Sequence, residues 1–230
     1  YTCDKFVNLE YLKNYQVVET KEYSEFNHYV LELSQDNIEI QYLNIIKKVL
    51  NTGYSRCTRS GTTRNLFHTE LIHDMRQGFP LLTTKKMFFR GIVEELLFFL
   101  RGDTNTEILE KKGIKIWSGN TSEEFLRDNG LSLKKGDMGP MYGYQWRKFG
   151  KKYVSSEASQ DANTDTNQGT SQDTIGIDQL QNVIDLIRNE PQSRRILMTS
   201  YNPTQVNEGV LYPCHSIVIQ FYTCEGFLDM

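Results

Sequence analysis

The stretch GDMGPMYGYQWR, residues 136–147, contains the residue types that most strongly determine the path of the backbone. Three glycines and one proline divide it, and Tyr142 lies among them. Glycine permits close approaches and backbone angles that other residues avoid, and proline fixes one backbone angle. The pattern therefore predicts a backbone shaped closely around another group, with Tyr142 inside the turn.

Helical patterns precede this stretch. Apolar residues at helical spacing from Ile40 to Leu50, with Gly53 as a stop signal, predict one helix. A second helix is predicted from Lys86 to Arg101, with Thr83 and Thr84 as candidate caps. This second segment is apolar nearly all round, which indicates a buried helix.

Shorter elements complete an α+β pattern. Thr121 and Glu124 have the spacing of a capping box, and a later helix is predicted between Asp178 and Pro191. We expect a turn at 225–226 with a strand beginning after it. The remaining predicted helices are 106–112 and 121–129, and the predicted strands are 15–20, 28–33, 195–201 and 215–223.

The composition narrows the class of protein. The chain has 230 residues, a formal net charge of -3 and 38% hydrophobic residues, which is typical of a soluble globular protein rather than a non-specific nucleic-acid binder. No apolar run reaches the roughly 20 residues of a membrane span, and the chain starts without a secretory signal pattern. The four cysteines have no zinc-site spacing. We expect a soluble, intracellular, cytoplasmic protein with no metal, nucleic-acid or membrane partner.

Two segments mark the organisation of the chain. Residues 155–172 are almost entirely polar and of low complexity, which predicts a disordered surface insert. The change from strand pattern to helical pattern at 34–37 predicts a boundary between two units. The segment before this boundary, 1–35, has a hairpin pattern, and a lone hairpin needs a further sheet for stability.

Cys214 is the strongest candidate nucleophile, in the sequence Leu211-Tyr212-Pro213-Cys214-His215. It precedes a predicted strand, where a side chain can face a cleft. Pro-Cys-His alone favours a buried structural cysteine, because free cysteine is among the most buried residue types. Cationic groups nearby would favour catalysis because they stabilise the reactive thiolate.

Arginines supply such candidate cations. Arg194 and Arg195 open a predicted strand directly after a helix, and two guanidinium groups can clamp a phosphate or a carboxylate. Arg59 lies in a loop rich in glycine and threonine, which also suits an anion. Each pattern also occurs among ordinary surface arginines.

Glu95 is the sharpest polar anomaly, because it lies in the apolar helix 86–101. A buried carboxylate must be hydrogen-bonded, paired or protonated, so Glu95 is a candidate site residue. The alternative is that Glu94 and Glu95 form the one polar edge of the helix.

Taken together, these segments resemble the thymidylate synthase family. The resemblance implies an α+β fold with a mixed sheet and a buried central helix, truncated at its C-terminal side. The matching segments occur in the family's order and spacing between Glu39 and Met230: 83–85, 95–97, 102–105, 116–117, 136–147, 193–196, 213–215 and 220–222.

The resemblance implies a reaction, the methylation of dUMP to dTMP with methylenetetrahydrofolate as carbon and hydride donor. Cys214 would attack carbon-6 of the uracil ring and form a covalent adduct. Glu95 would organise water and protons beside the ring, and Tyr142 would belong to the network that removes the carbon-5 proton. His215 would orient neighbouring groups.

The resemblance also implies binding residues. Arg59 would hold the nucleotide phosphate, while Arg194 and Arg195 would reach across a homodimer interface to the phosphate in the partner's site. The folate co-substrate would contact three positions: Lys85, Trp117 and Asn120.

The sequence departs from the family pattern at several places. Thr58, Phe98 and Tyr212 stand where the family usually has Asp, Trp and Pro. The family's segment beginning Tyr-Gln-Arg-Ser, and the residues that read the pyrimidine and ribose, do not appear in this sequence. We therefore expect residues 36–230 to be an incomplete synthase domain that is inactive alone.

The first 35 residues carry a second, shorter resemblance. Residues 3–6 and the two strands that follow are similar to the last hairpin of dihydrofolate reductase, and residues 42–46 resemble the join in reductase–synthase fusions. This implies a bifunctional enzyme, with NADPH as a cofactor only if a reductase domain lies upstream. Two alternatives stay open: a pyrimidine nucleotide hydroxymethylase of the same fold, and a non-catalytic interaction protein.

Overall fold

The structure is a computed structural model, and it describes residues 15–22, 27–33, 37–58, 61–155 and 176–230, with side chains from residue 37 onward. The chain divides into two compact units, 1–88 and 89–230, which are described separately. Arg59 and all but residue 155 of the predicted insert lie outside the described residues.

The first unit begins with the predicted hairpin. Strand β1 (Tyr15–Glu22) pairs antiparallel with β2 (Asn27–Leu33). Helix α1 (Ile38–Thr52) follows, capped by the Asn37 side chain and ended at Gly53, as its apolar spacing predicts. The unit continues with β3 (Tyr54–Thr58), paired antiparallel with β4 (Gly61–Asn65), and a single 3₁₀ turn (Met75–Gln77).

The Glu39 carboxylate holds the end of this unit together. Its two oxygens accept hydrogen bonds from the backbone N–H of Thr83 (2.9 Å) and Thr84 (2.6 Å) and from the Thr83 hydroxyl (2.8 Å). The prediction that these threonines cap the next helix is wrong, because that helix begins only at Phe89. Burial opposes ionisation, but these hydrogen bonds lower the pKa of Glu39 from 4.5 to about 2.

The second unit contains five helices and four strands among its described residues. The helices are α2 (Phe89–Arg101), α3 (Glu107–Glu110), α4 (Glu123–Asp128), α5 (Gly143–Lys148) and α6 (Gln179–Asn189). The strands are β5 (Leu197–Thr199), β6 (Val218–Gln220), β7 (Tyr222–Cys224) and β8 (Phe227–Asp229). Asp178 caps α6 through its side chain, and Glu225-Gly226 form the turn between β7 and β8, both as predicted.

The predicted mixed sheet and buried helix need correction. The described strands form four two-stranded antiparallel ladders, β5 with β6 and β7 with β8 in this unit. Helix α2 buries Gly91, Phe98 and Phe99, whereas Ile92 and Leu96 on its other side are 41% and 49% exposed. The helix therefore has one buried face, because no element among the described residues of this unit covers the other face.

The start of α4 also differs from the predicted capping box. Ser122, not Thr121, is the cap, and its hydroxyl accepts a hydrogen bond from Phe125 N. Thr121 is buried, and its hydroxyl bonds the Trp117 carbonyl (3.0 Å) and the Thr106 hydroxyl (3.0 Å). Thr121 thus joins the segments that lead into α3 and α4.

The core of the second unit lies between α2 and α5. Gly143 at the start of α5 approaches α2 so closely that an added Cβ would lie 2.6 Å from the Phe99 Cα. The buried cluster contains Phe98, Phe99, Leu109, Ile114, Trp117, Leu126, Met138, Met141, Tyr142, Trp146, Val183, Ile196, Met198 and Val210.

No helix in the described part of the chain is long and apolar enough to span a membrane.

We predict that Gly143→Ala destabilises the fold by about 1–3 kcal/mol, because the new methyl group must push α5 away from the α2 backbone. Gly119→Ala is the matched control, since its Cβ would meet no atom within 4 Å. Urea unfolding of both variants measures the difference. Equal free energies of unfolding for the two variants would contradict the close packing of α2 on α5.

We predict that Glu39→Gln destabilises the fold by about 1–3 kcal/mol at pH 7, since an amide accepts these hydrogen bonds less well. The Glu39 pKa is lower in the folded state, so its stabilisation is complete above pH 4.5 and is lost as the pH falls toward 2. Urea unfolding at pH 7 and pH 3 should show the difference shrink at pH 3. Exposed Glu70→Gln is the control, and an equally stable Glu39→Gln at pH 7 would contradict the role.

Candidate active site

Cys214 and Tyr142, which lie 72 positions apart in the sequence, meet in the second unit. The Tyr142 hydroxyl accepts a hydrogen bond from the Cys214 backbone N–H (3.2 Å) and lies 3.7 Å from the Cys214 Sγ. Because the oxygen already accepts from the backbone, its O–H is available to the sulfur as a donor. The Cys214 residue is exposed, so this thiol can meet a ligand from solvent.

The Tyr142 ring is fixed by aromatic stacking on both sides. It is 1% exposed and stacks on Phe99 and on His215, each at 4.8 Å between ring centroids and 19° between planes. The Trp117 ring lies 6.0 Å away at 60°. The hydroxyl group can therefore shift little relative to Cys214.

The Tyr142 backbone has an uncommon conformation, with φ 38° and ψ -102°. For a large residue such angles cost on the order of 1–3 kcal/mol and persist only where surrounding contacts impose them. Burial raises the pKa of Tyr142 to about 12, and the Cys214 side chain and the charge of Glu95 add to this rise, whereas the hydrogen bond from the Cys214 backbone N–H opposes it. The hydroxyl therefore stays protonated at neutral pH and acts as a hydrogen-bond donor.

The two carboxylates of α2 have different partners. Glu95 Oε1 accepts a hydrogen bond from the indole Nε1 of Trp117 (2.7 Å), so this carboxylate has the partner that its apolar helix requires. Glu94 pairs with the Lys112 Nζ at 2.5 Å, and this hydrogen bond lowers the pKa of Glu94. Glu94 thus forms the polar edge of the helix, whereas Glu95 faces Trp117 and Tyr142.

The remaining predicted site residues of this unit are Asn120, Arg194 and Arg195. Asn120 is half-buried in the turn after Trp117, and its N–H bonds the Trp117 carbonyl (3.0 Å). Arg194 and Arg195 are both exposed in the turn before β5, and within the described residues neither guanidinium group has a hydrogen-bond or ion-pair partner. They are available to an anion from outside this chain.

Two predicted residues lie outside the described part of the second unit. Arg59 lies outside the described residues, and Lys85 is exposed in the first unit, two residues after Thr83. Among the described residues no group of His, Cys, Asp and Glu could hold a metal ion.

Sequence reasoning missed two residues that support the site. Phe99, interpreted as one of many core residues of the apolar helix, is a stacking partner of Tyr142. Gln145 is 1% exposed and hydrogen-bonds the Pro140 carbonyl (2.7 Å) across the turn that holds Tyr142. The only sequence signal for Gln145 was its place in the stretch 136–147.

Comparison with known proteins gives relatives over nearly the whole chain. A bifunctional dihydrofolate reductase-thymidylate synthase from Paramecium tetraurelia is 39% identical over 243 residues, covering 99% of this chain and 50% of that protein. The bifunctional protein from Zea mays is 42% identical over 83% of this chain and 34% of its own length. Thymidylate synthase 1/2 from Encephalitozoon cuniculi is 42% identical over 83% of this chain and 61% of its own. The chain thus spans from about a third to about three fifths of these relatives.

The family model for thymidylate synthase matches residues 40–230, which include all but the first two residues of α1 and the entire second unit. These residues carry every predicted site position of the sequence analysis. The chain therefore belongs to the thymidylate synthase family.

Proposed function

We propose that this chain supplies the nucleophile and part of the binding residues of an enzyme that methylates dUMP to dTMP. The observation that carries the proposal is the contact of an exposed cysteine, Cys214, with the fixed hydroxyl of Tyr142 at 3.7 Å. The names of the relatives, which are thymidylate synthases, favour methylation over the hydroxymethylation that the sequence left open.

In the proposed first step the Cys214 thiolate bonds to carbon-6 of the uracil ring, and the electron pair of the ring double bond moves toward the carbonyl oxygen as an enolate. Carbon-5 thereby becomes nucleophilic. The Tyr142 O–H stabilises the thiolate before attack, because it lies within reach of the sulfur as a donor. When the carbon-5 proton is removed, Tyr142 serves as a hydrogen-bonding member of the proton network, since its pKa of about 12 makes it a weak base.

Glu95 is proposed to hold water and protons beside the ring. Its Oε1 is bound by the Trp117 indole, which leaves Oε2 free of that bond and able to face solvent or substrate. His215 is the residue after the nucleophile in the sequence, and its ring stacks on Tyr142. We propose that His215 orients the Tyr142 ring. In this proposal one carboxylate, one phenol and one imidazole act together at the reacting ring.

The residues present fit a flat folate ring system. Ile116, next to Trp117 in the sequence, is 45% exposed and offers apolar surface beside the buried Trp117 and Tyr142 rings. We propose Trp117, Asn120 and Lys85 as folate contacts. Methylenetetrahydrofolate, when bound, supplies the one-carbon unit and the hydride that completes the methyl group.

The phosphate is proposed to bind arginines from two chains. Arg194 and Arg195 are exposed and without partners among the described residues, as donation to a second subunit of a homodimer requires. Arg59 is proposed as the third phosphate ligand, from its own chain. Cationic groups at the phosphate also favour the Cys214 thiolate.

We further propose that residues 1–35 are the last hairpin of a dihydrofolate reductase-like domain, and that 36–230 belong to the synthase domain. The β1–β2 hairpin supports this, and so does the Paramecium relative, whose alignment covers 99% of the chain. NADPH belongs to this proposal only through such a reductase domain.

Replacement of Cys214 by Ala in the complete protein should abolish both dTMP formation and the stable complex with 5-fluoro-dUMP and methylenetetrahydrofolate. The physical reason is that, among the described residues, Cys214 supplies the only thiol within hydrogen-bond distance of the Tyr142 hydroxyl. Exposed Cys57→Ala and Cys224→Ala are the matched controls and should keep both properties. Near-normal turnover by Cys214→Ala would remove Cys214 as the nucleophile.

Subunit mixing tests the shared site. Arg195→Ala and Cys214→Ala chains, each inactive alone, should together recover about a quarter of wild-type activity. Random exchange makes half of the dimers mixed, and each mixed dimer has one intact site of two. Mixed dimers confirmed by mass but without activity would overturn donation across the interface.

A further inference from the structure

Three buried side-chain amides form a closed cluster in the second unit, which we name the amide triangle: Gln145, Asn202 and Gln205. They are 1%, 4% and 7% exposed. Gln145 Nε2 donates to Gln205 Oε1 (3.1 Å), Asn202 Nδ2 donates to Gln145 Oε1 (3.1 Å), and Asn202 Nδ2 also donates to Gln205 Oε1 (3.0 Å). Each amide therefore contacts both of the others.

The triangle is also bonded outward at every corner. Gln145 Nε2 donates to the Pro140 carbonyl (2.7 Å), and Gln205 Nε2 donates to the Lys151 carbonyl (2.9 Å). Asn202 Oδ1 accepts from the Thr204 N–H (3.1 Å) and hydroxyl (2.8 Å). A buried polar network with every member satisfied is rigid, because any displacement leaves a buried group without a partner.

One side of the triangle closes the turn around Tyr142. Gln145 lies three residues after Tyr142. Its side-chain Nε2 donates a hydrogen bond to the Pro140 carbonyl, which lies two residues before Tyr142. This bond spans the strained backbone of Tyr142, with its φ of 38°. Removing it frees the turn to relax toward ordinary backbone angles, which would shift the hydroxyl.

The other side of the triangle leads to Cys214. Asn202 and Gln205 begin the segment that returns to the nucleophile. That segment is bonded to the Tyr142 turn again where Val210 N donates to the Met138 carbonyl (3.1 Å) and Leu211 N contacts the Met141 Sδ (3.5 Å). Cys214 follows three residues later, so the triangle connects both arms that carry the reacting pair.

We propose that Gln145, Asn202 and Gln205 are positioning residues that set the distance between the Tyr142 hydroxyl and the Cys214 sulfur. The proposal rests on the proposed function, because it assigns the triangle's effect to Tyr142 at the reacting ring. A positioning role differs from a purely stabilising role because its effect on kcat must depend on the Tyr142 hydroxyl.

The test is a double-mutant cycle in the complete protein, with Gln145→Met and Tyr142→Phe separately and together. We expect Gln145→Met to lower kcat about tenfold or more per titrated active site, since displacement of a catalytic group by an ångström can cost about a hundredfold. The KM for dUMP should change less than about threefold. In the Tyr142→Phe background, Gln145→Met should change kcat by less than about twofold, because the hydroxyl that it positions is absent.

A matched control separates positioning from stability. Gln179 makes three hydrogen bonds like those of the triangle, to Gln145 O and to Thr199 O and N, but none to the segments 140–142 or 202–214. Gln179→Met should lower the melting temperature and leave kcat per titrated site unchanged. Equal kcat loss in both variants, or a multiplicative loss in the double variant, would overturn the proposal.

A second pair of variants, at Gln205, keeps the proposal testable if Gln145→Met does not fold. Gln205→Glu keeps an oxygen that accepts from Gln145 and Asn202, and in its protonated form it can also donate to Lys151 O, whereas Gln205→Met keeps neither. We expect Gln205→Glu to retain most of kcat and Gln205→Met to lose about tenfold. Equal losses in this pair would contradict positioning. A wild-type protein without adduct and turnover would instead overturn the proposed function itself.

Discussion

The contact between the Tyr142 hydroxyl and Cys214 is the constraint on which the arrangement of the second unit depends. The phenol lies between the Phe99 ring and the His215 ring, with both centroids at 4.8 Å. For this to occur, α5 must start directly against the α2 backbone, and a glycine at 143 is the residue that permits the approach. The uncommon backbone of Tyr142 is thus imposed by packing on both sides of it.

The site combines a fixed side with a solvent-facing side. Tyr142, Phe99 and Trp117 are buried, whereas Cys214 and His215 are exposed. A nucleophile that stays accessible while its hydrogen-bond donor is rigid is suited to covalent catalysis, because little reorganisation is needed as charge develops on the sulfur. Arg194 and Arg195, which are exposed and have no partner within the described part of the chain, fit the same account, since an anion would satisfy them.

Sequence reasoning predicted the elements with strong local signals. The β1–β2 hairpin, α1 with its stop at Gly53 and α6 with its Asp178 cap follow from local periodicity and capping chemistry. It placed Cys214, Tyr142 and Glu95 as candidates, and the structure brings the first two into contact. The proposed roles of these residues stay predictions.

The errors arose where partners distant in sequence decide the outcome. Thr83 and Thr84 have the residue type of helix caps, but they bind the Glu39 carboxylate, 44 and 45 positions earlier, and α2 begins only at Phe89. The α2 segment is apolar nearly all round, yet burial depends on neighbouring elements, and only its Gly91, Phe98 and Phe99 side is covered. Local pattern also could not show that Gln145 closes the Tyr142 turn, because its partners Asn202 and Gln205 lie about 60 residues later.

Peptide mapping by mass spectrometry of the complete protein tests the central claim most directly. After incubation with 5-fluoro-dUMP and methylenetetrahydrofolate, the account predicts that the added mass of both molecules lies on the peptide that contains Cys214. Added mass on the peptide of Cys57 or Cys224, or an unmodified Cys214 peptide in a protein that forms dTMP, would contradict it.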